Sequence, residues 1–318
     1  MTPANIHIVE TVVAFALIVL LNVVLKKKEV VKAADTPTFT RLLTQVVLPV
    51  FIFFQFLRYP PATRHLLPVL AMFITGCCTL LAAWAVGKML GFSRSTTGAL
   101  MIVSSFGSSA LLGYPLIQYT FPHDPGAMTE AILISELAVG LPIFTLCPLV
   151  AMHFGEATTA TDTPPSSMLQ YFRSPIFIAV VLGFAVSRFH VPLQSPFVAP
   201  ILEAAKMIDG TLAALACLIL GLQIKVGSLK RLLPIVGISA ALQMGFQPLL
   251  AYGLAVLFHL GVMERQILVL IAAMPSAVLG PIFAVRYNCE GELASTVTFV
   301  NILLGALGIP VVFWLLGH

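Results

Sequence analysis

Apolar residues in this chain come in long unbroken stretches separated by short polar ones. Ten stretches stand out, at 6–25, 39–57, 66–90, 96–121, 128–153, 175–189, 198–224, 232–260, 266 onward and 292–316. A helix needs about 20 apolar residues to cross a bilayer, and most of these runs reach that length. Transmembrane strands would instead alternate apolar and polar residues over about 10 positions, so a β-barrel is not expected. The longest polar stretch, rich in Thr, Ser and Pro, lies at 155–170 and divides the runs into two sets of five. The pattern predicts an all-α membrane protein with ten transmembrane helices. A first repeat would cover 1–154, a cytoplasmic linker 155–174 and a second repeat 175–318.

Two apolar runs, the fourth and the ninth, contain residues that interrupt a helix. The fourth holds Phe106-Gly-Ser-Ser-Ala-Leu-Leu-Gly-Tyr-Pro115 and the ninth Met274-Pro-Ser-Ala-Val-Leu-Gly-Pro-Ile-Phe283. An interrupted helix frees N–H and C=O groups that cost several kcal/mol each in lipid unless protein or a wet cavity satisfies them. Breaks at matching places in two halves point to a transporter's binding site. The plain alternative is that Gly and Pro only kink closely packed helices. If the helices do break, two half-helix N-termini meet near mid-membrane, each with roughly half a positive charge and free N–H donors. Such a place suits an anion, a carboxylate for example. Gly107, Gly113 and Gly280 leave room for backbone to approach it, and Pro275 helps to make the second break. Ser108, Ser109 and Ser276 supply hydroxyls, and Tyr114 an aromatic wall.

The halves resemble each other. Leu67-Pro68 matches Leu233-Pro234, Gly91 matches Gly261, and Ser109-Ala110 with Gly113 matches Ser276-Ala277 with Gly280. Gly140-Leu-Pro142 matches Gly308-Ile-Pro310, and all offsets fall between 166 and 170. Five crossings is an odd number, so the second copy enters the membrane inverted. Loop charge gives the orientation. With the N-terminus outside, the inner side holds Lys26, Lys27, Lys28, Lys32, Arg41, Lys88, Arg94, Arg173, Lys225, Lys230, Arg231 and Arg286. The outer side holds Arg58, Arg64, Arg188 and Arg265, which places both termini outside by the positive-inside rule.

Composition agrees with a membrane class. The 318 residues are 59% hydrophobic and 9% charged, far from the roughly 25% charged of soluble domains. The net charge of +4 sits mostly in loops and does not suggest nucleic-acid binding. The first run has no basic start or small-residue cleavage site, so it reads as a retained span. Five cysteines show no metal or redox spacing and read as small core residues, and seven histidines fall near span ends or in loops. No nucleophile elbow, phosphate loop or metal box occurs. No enzyme, cofactor or metal site is expected.

The residues resemble the auxin efflux carrier family, which includes plant PIN-type carriers and bacterial malonate permeases. The likeness covers nearly the whole chain and is strongest at 42–51, at the break in the fourth run, at 215–223 and at 273–309. It implies a five-plus-five inverted repeat related in fold to bile-acid sodium symporters, with helices 4 and 9 crossing. It further implies a scaffold of spans 1, 2, 6 and 7, a moving transport domain of spans 3–5 and 8–10, a homodimer, and a bacterial inner membrane location. The first break reads Gly107-Ser-Ser-Ala110, where many relatives carry Asn or Thr, and nothing identifies auxin as substrate.

Together these readings give a secondary transporter of a small organic anion such as malonate or an auxin-like acid, driven by a gradient. Gln45 is a substrate-binding candidate because span 2 faces the transport domain under this reading. Gln243, Gln247 and Asn301 are read as interhelical hydrogen-bonding groups. Glu203, Lys206 and Asp209, spaced i, i+3, i+6, share a helix face and largely neutralise each other. Glu136 lies roughly 13 Å into span 5, where desolvation disfavours a bare carboxylate. It is the proton-coupling candidate, against a structural hydrogen-bonding role or a sodium-coupled carrier. The rivals are a sodium/proton antiporter, disfavoured because Asp35, Asp124, Asp162 and Asp209 lie in loops or near a span end, and a membrane sensor without flux.

Overall fold

A computed structural model describes residues 3–155, 169, 172–189, 195, 196, 198–223 and 233–316. Most of the expected linker, Asp162, and the basic Lys225, Lys230 and Arg231 lie outside the described residues. Thirteen helices are described. They are α1 (Pro3–Lys27), α2 (Thr36–Arg58), α3 (Thr63–Met89), α4 (Arg94–Ser105), α5 (Tyr114–Thr120) and α6 (Gly126–Phe154). Then follow α7 (Pro175–Ser187), α8 (Ala199–Asp209), α9 (Leu212–Gln223), α10 (Leu233–Leu257), α11 (Val262–Ala272), α12 (Leu279–Arg286) and α13 (Gly291–Leu316). Each apolar run coincides with one helix or a consecutive pair. Helices α2, α3, α6 and α10 are each long and apolar enough to cross a membrane.

One run departs from expectation. The stretch 198–224 splits at Gly210-Thr211, where Gly210 N–H reaches back to Lys206 O and Thr211 N–H to Ile208 O. Thr211 also donates its hydroxyl to Ile208 O at 2.7 Å, so the helix ends in its own side-chain and turn bonds.

Four wide π turns interrupt the helices, at Leu43–Val47, Ser109–Gly113, Ile134–Gly140 and Ala241–Phe246. Each is followed within two residues by a proline: Pro49, Pro115, Pro142 and Pro248. Proline brings no N–H and its ring clashes with the carbonyl four residues back, and the wider turn makes space for it.

Packing falls into two groups. Helix α2 packs on α7, α8 and α9, and α1 on α9. Helices α3–α6 and α10–α13 pack among themselves, and contacts between the groups run from α1 to α5 and α13 and from α2 to α6. At the centre lie α4 and α11, whose residues Thr97–Ser105 and Ile267–Ala272 are buried on every side.

Both central helices stop in mid-run. Phe106 leaves α4 in an extended conformation, φ −131° and ψ 126°. Pro275 cannot donate within a helix and biases Met274 away from helical geometry. The two interruptions lie antiparallel, with Gly107 opposite Ser276. Ser108 N–H donates to Pro275 O at 2.7 Å and Ala277 N–H to Phe106 O at 3.0 Å. Groups freed by one break are thus satisfied by the other. Gly107 makes the approach possible: a Cβ there would lie 2.8 Å from Met274 O and 2.9 Å from Met274 Cβ. The space beside Gly107 is therefore taken by the Met274 backbone. Gly305 is fitted to the same crossing, since its Cβ would stand 2.9 Å from Pro275 Cγ.

Gly113 is different. It is helical, and a Cβ would meet nothing closer than 3.8 Å. Gly107→Ala is expected to destabilise the protein by about 1–3 kcal/mol through overpacking. Gly113→Ala should change stability by no more than about 1 kcal/mol, in the stabilising direction, by removing glycine's unfolded-state freedom. Thermal unfolding of both variants in detergent separates them. Equal losses would mean that the backbone contact at Gly107 does not set the crossing.

Candidate functional site

The crossing gathers most of the residues singled out in the sequence. Gly107, Ser108, Ser109, Gly113, Tyr114, Pro275, Ser276 and Gly280 surround the paired breaks and are all buried. Gly280 packs with its missing Cβ 3.0 Å from Ile102 Cγ2, which ties the start of α12 to α4. Gln45 does not join them. It sits on the π turn of α2 with its side chain exposed, while Leu43, Val47, Leu48 and Phe51 are the buried residues of that helix segment. The residue of α2 that does reach the site is Phe51, whose ring centroid is 6.0 Å from that of Tyr114.

On the first-break side the polar contacts run to α6. Ser109 Oγ and Ser135 Oγ are hydrogen-bonded at 2.7 Å, and Tyr114 donates its hydroxyl to Glu136 Oε1 at 2.6 Å. Glu136 is 4% exposed, so this phenol supplies polar contact that its apolar sequence neighbours do not. On the second-break side the partners come from α4, α10 and α13. Asn301 Nδ2 donates to Ser276 Oγ at 2.8 Å, and Ser276 Oγ lies 2.6 Å from Val103 O and 2.8 Å from Gln243 Oε1. Asn301 also donates to Ser239 Oγ at 2.9 Å, which accepts from Ser104 Oγ at the same distance. Gln247 Nε2 donates to Ser105 O, the last residue of α4. Gln243, Gln247 and Asn301 thus bond between helices. Yet Gln243 Nε2, Gln247 Oε1 and Asn301 Oδ1 are buried with no partner among the described residues.

The two sides correspond. Ser276 and Asn301 lie 167 and 166 positions after Ser109 and Ser135, so each break bonds its serine to the same place on the span that follows. They also differ. Position Gly76 on α3 corresponds to Gln243, and Gly76 is covered by the Phe106 ring, 2.7 Å from where a Cβ would be. The second side is polar where the first is aromatic, and the first carries the carboxyl group.

Other charges fall elsewhere than expected. Glu203 and Lys206 form an exposed pair at 3.0 Å, but Asp209 turns from them and accepts from Gln118 on α5 at 3.3 Å. His65, expected near the surface with the other histidines, is 2% exposed and contacts Glu130, which is 0% exposed. Glu130 stands six residues before Glu136 in the same apolar run, so a second acidic residue in that run was the signal for it. Cys289, outside the spanning segments, is buried and bonds to Ser95 O, and burial pushes its thiol up to about 12. Among the described residues no cluster of His, Cys, Asp or Glu has the makings of a metal site.

A family model described as membrane transport protein matches residues 7–313. An uncharacterized transporter of Methanothermobacter thermautotrophicus is 24% identical over 306 residues, covering 95% of this chain and 96% of its own. An uncharacterized transporter of Methanocaldococcus jannaschii is 20% identical over 314 residues, covering 96% and 98%. The chain belongs to the membrane transport protein family, the auxin efflux carrier family that its sequence resembles, and is a membrane transporter rather than an enzyme.

Proposed function

We propose that the protein is a secondary active transporter of a small organic anion, a carboxylate such as malonate or an auxin-like acid, working by alternating access. The observation that carries this is the meeting of two interrupted helices at Gly107 and Ser276, deep inside a chain of a transport family. Helix starts just beyond the breaks favour negative charge. Unpartnered amide atoms of Gln243, Gln247 and Asn301 beside the crossing offer polar groups to a ligand or to the water around it.

In this reading the thirteen helices make ten spans in a five-plus-five inverted repeat, with α4–α5 and α11–α12 as the crossed, broken spans 4 and 9. Helices α1, α2 and α7–α9 form the scaffold, and the others move against it. The packing of α2 on α7, α8 and α9 supports that division. The family resemblance adds a homodimer. Both termini lie outside, from the distribution of Lys and Arg.

Three measurements bear on this. Purified protein is screened by thermal shift against mono- and dicarboxylates, then reconstituted for uptake. A ligand at 100 times its Kd should stabilise by about 2.7 kcal/mol. Binding without accumulation would make the protein a sensor. Cysteine labelling should place position 162 inside and position 124 outside, and labelling of both from one face ends the inverted architecture.

Glu136 is the proposed coupling group, a proton the proposed ion and sodium the rival. Glu136→Gln should abolish accumulation but retain exchange, and flatten the pH profile of uptake between pH 5.5 and 8. Tyr114→Phe removes one hydrogen bond to a charged or acidic group, worth about 1.5–3 kcal/mol, and should weaken transport less than it shifts the pH profile. Normal gradient-driven uptake by Glu136→Gln would make Glu136 structural.

A further inference from the structure

One strongly charged surface has no part in the crossing. Between positions 26 and 41, where α1 gives way to α2, stand Lys26, Lys27, Lys28, Lys32 and Arg41, against Glu29 and Asp35. Helix α1 is 25 residues long, about 37 Å, which exceeds the roughly 30 Å of hydrocarbon in a bilayer. The turn that follows it therefore lies at the level of the lipid headgroups.

The backbone of this turn is well defined. Chain reversal after α1 is a Schellman turn, in which Glu29 N–H bonds Lys26 O and Val30 N–H bonds Leu25 O, each at 3.1 Å. Glu29 takes the left-handed position at φ 56°. Further on, Asp35 accepts from Lys32 N–H at 2.8 Å and gives no side-chain cap to α2.

Ordinary structural roles account for only part of the charge. A helix C-terminus draws cations into its last turn, and Lys26 and Lys27 stand there. Lys26 also donates to Leu222 O at 2.7 Å, near the end of α9. Lys28, Lys32 and Arg41 lie outside that last turn. The orientation rule asks for basic residues on one side of the membrane, not for several in one connection. Lys27, Lys28, Lys32 and Arg41 are all exposed, and none has an ion-pair partner among the described residues.

Apolar side chains are exposed beside these cations. Val30, in the turn, is 67% exposed, and Arg41 heads a strip of α2 on which Leu42 and Val46 are exposed as well. Leu42 and Val46 are spaced i, i+4 and share a helix face. Cations at headgroup level next to exposed apolar side chains match the two parts of an anionic phospholipid. A free anion would use the cations and leave the apolar strip bare.

We propose that the α1–α2 connection binds an anionic glycerophospholipid, with Lys27, Lys28, Lys32 and Arg41 attracting its phosphate and an acyl chain lying along Leu42 and Val46. A Lys or Arg at a charged membrane surface is worth about 1 kcal/mol, or about fivefold in affinity. The attraction needs no flux, so it stands whether or not the function proposed above does.

The test titrates the full-length protein, in a neutral detergent at physiological salt, with phosphatidylglycerol or with phosphatidylcholine of the same acyl chains. Native mass spectrometry resolves each bound lipid by mass. The first phosphatidylglycerol is expected to bind roughly thirtyfold or more tightly than phosphatidylcholine. Lys28→Gln with Lys32→Gln should weaken phosphatidylglycerol about 25-fold and leave phosphatidylcholine unchanged. Lys28→Arg with Lys32→Arg keeps the charge and should bind as the native protein does. Lys88→Gln with Lys206→Gln removes the same charge from α3 and α8, and should leave the affinity at its native value. If the first double variant fails to fold, Lys27→Gln with Arg41→Gln takes its place. Equal affinity for the two lipids, or equal losses in the α1–α2 variant and the α3 and α8 variant, overturns the proposal. Displacement of phosphatidylglycerol by millimolar glycerol phosphate, a headgroup without acyl chains, also overturns it and leaves a site for free anions. Uptake in proteoliposomes of neutral lipid reports separately on transport, so the two readings fail independently.

Discussion

The structure depends on backbone groups that two helices give up when they break. An unpaired N–H or C=O inside a membrane costs several kcal/mol, so an interruption has to be answered by another part of the chain. Here each interruption answers the other, through the bonds from Ser108 to Pro275 and from Ala277 to Phe106. That requirement fixes much around it. It demands glycine at 107, where the two backbones touch, and a small residue at 305, against the Pro275 ring. It also accounts for the enclosure of α4 and α11 where they run up to the breaks, since a lipid-facing break would leave the remaining groups unmatched.

The second organising feature is proline placed after a π turn. A wide turn shifts the residues that follow around the helix axis and leaves backbone groups more loosely matched. Ser109, Ser135, Glu136 and Gln243 all lie on such turns, and all make polar contacts at the crossing. Gln45 lies on one too but points outward. The turn alone does not make a site, then; it makes a place where a polar side chain is redirected, and the neighbouring helix decides what it meets.

Much of this was legible in the sequence, and the reasons for the rest are physical. Helix positions follow from apolar length, and the two breaks from Gly and Pro, because both signals are local. The split at Gly210-Thr211 was read through as continuous helix because apolar residues flank it on both sides. Gln45 was assigned from the helix it sits on, but facing is a matter of rotation, and the π turn at 43–47 alters that rotation. The burial of His65 was invisible because a residue at the end of an apolar run is ordinarily near the surface. Here Glu130 of α6 packs against it, a fact of packing alone. Asp209 meeting Gln118, 91 positions away, belongs to the same class.

The divergence of the two sides bears most directly on mechanism. The Ser109–Ser135 and Ser276–Asn301 contacts occupy matching places, so both breaks are braced alike. What has changed is the surrounding chemistry. The second break is held by neutral amides and hydroxyls, which keep their charge at every pH. The first is backed by Glu136 and Tyr114, and Tyr114 touches Phe51 of α2, in the other packing group. If the groups move past one another, that aromatic contact must be remade, and the hydroxyl that reaches Glu136 moves with its ring. Under the proposed movement, a carboxyl group whose hydrogen-bond donor packs on the other group would feel the change. The same argument gives no such role to the amide cluster, whose partners all lie within one packing group.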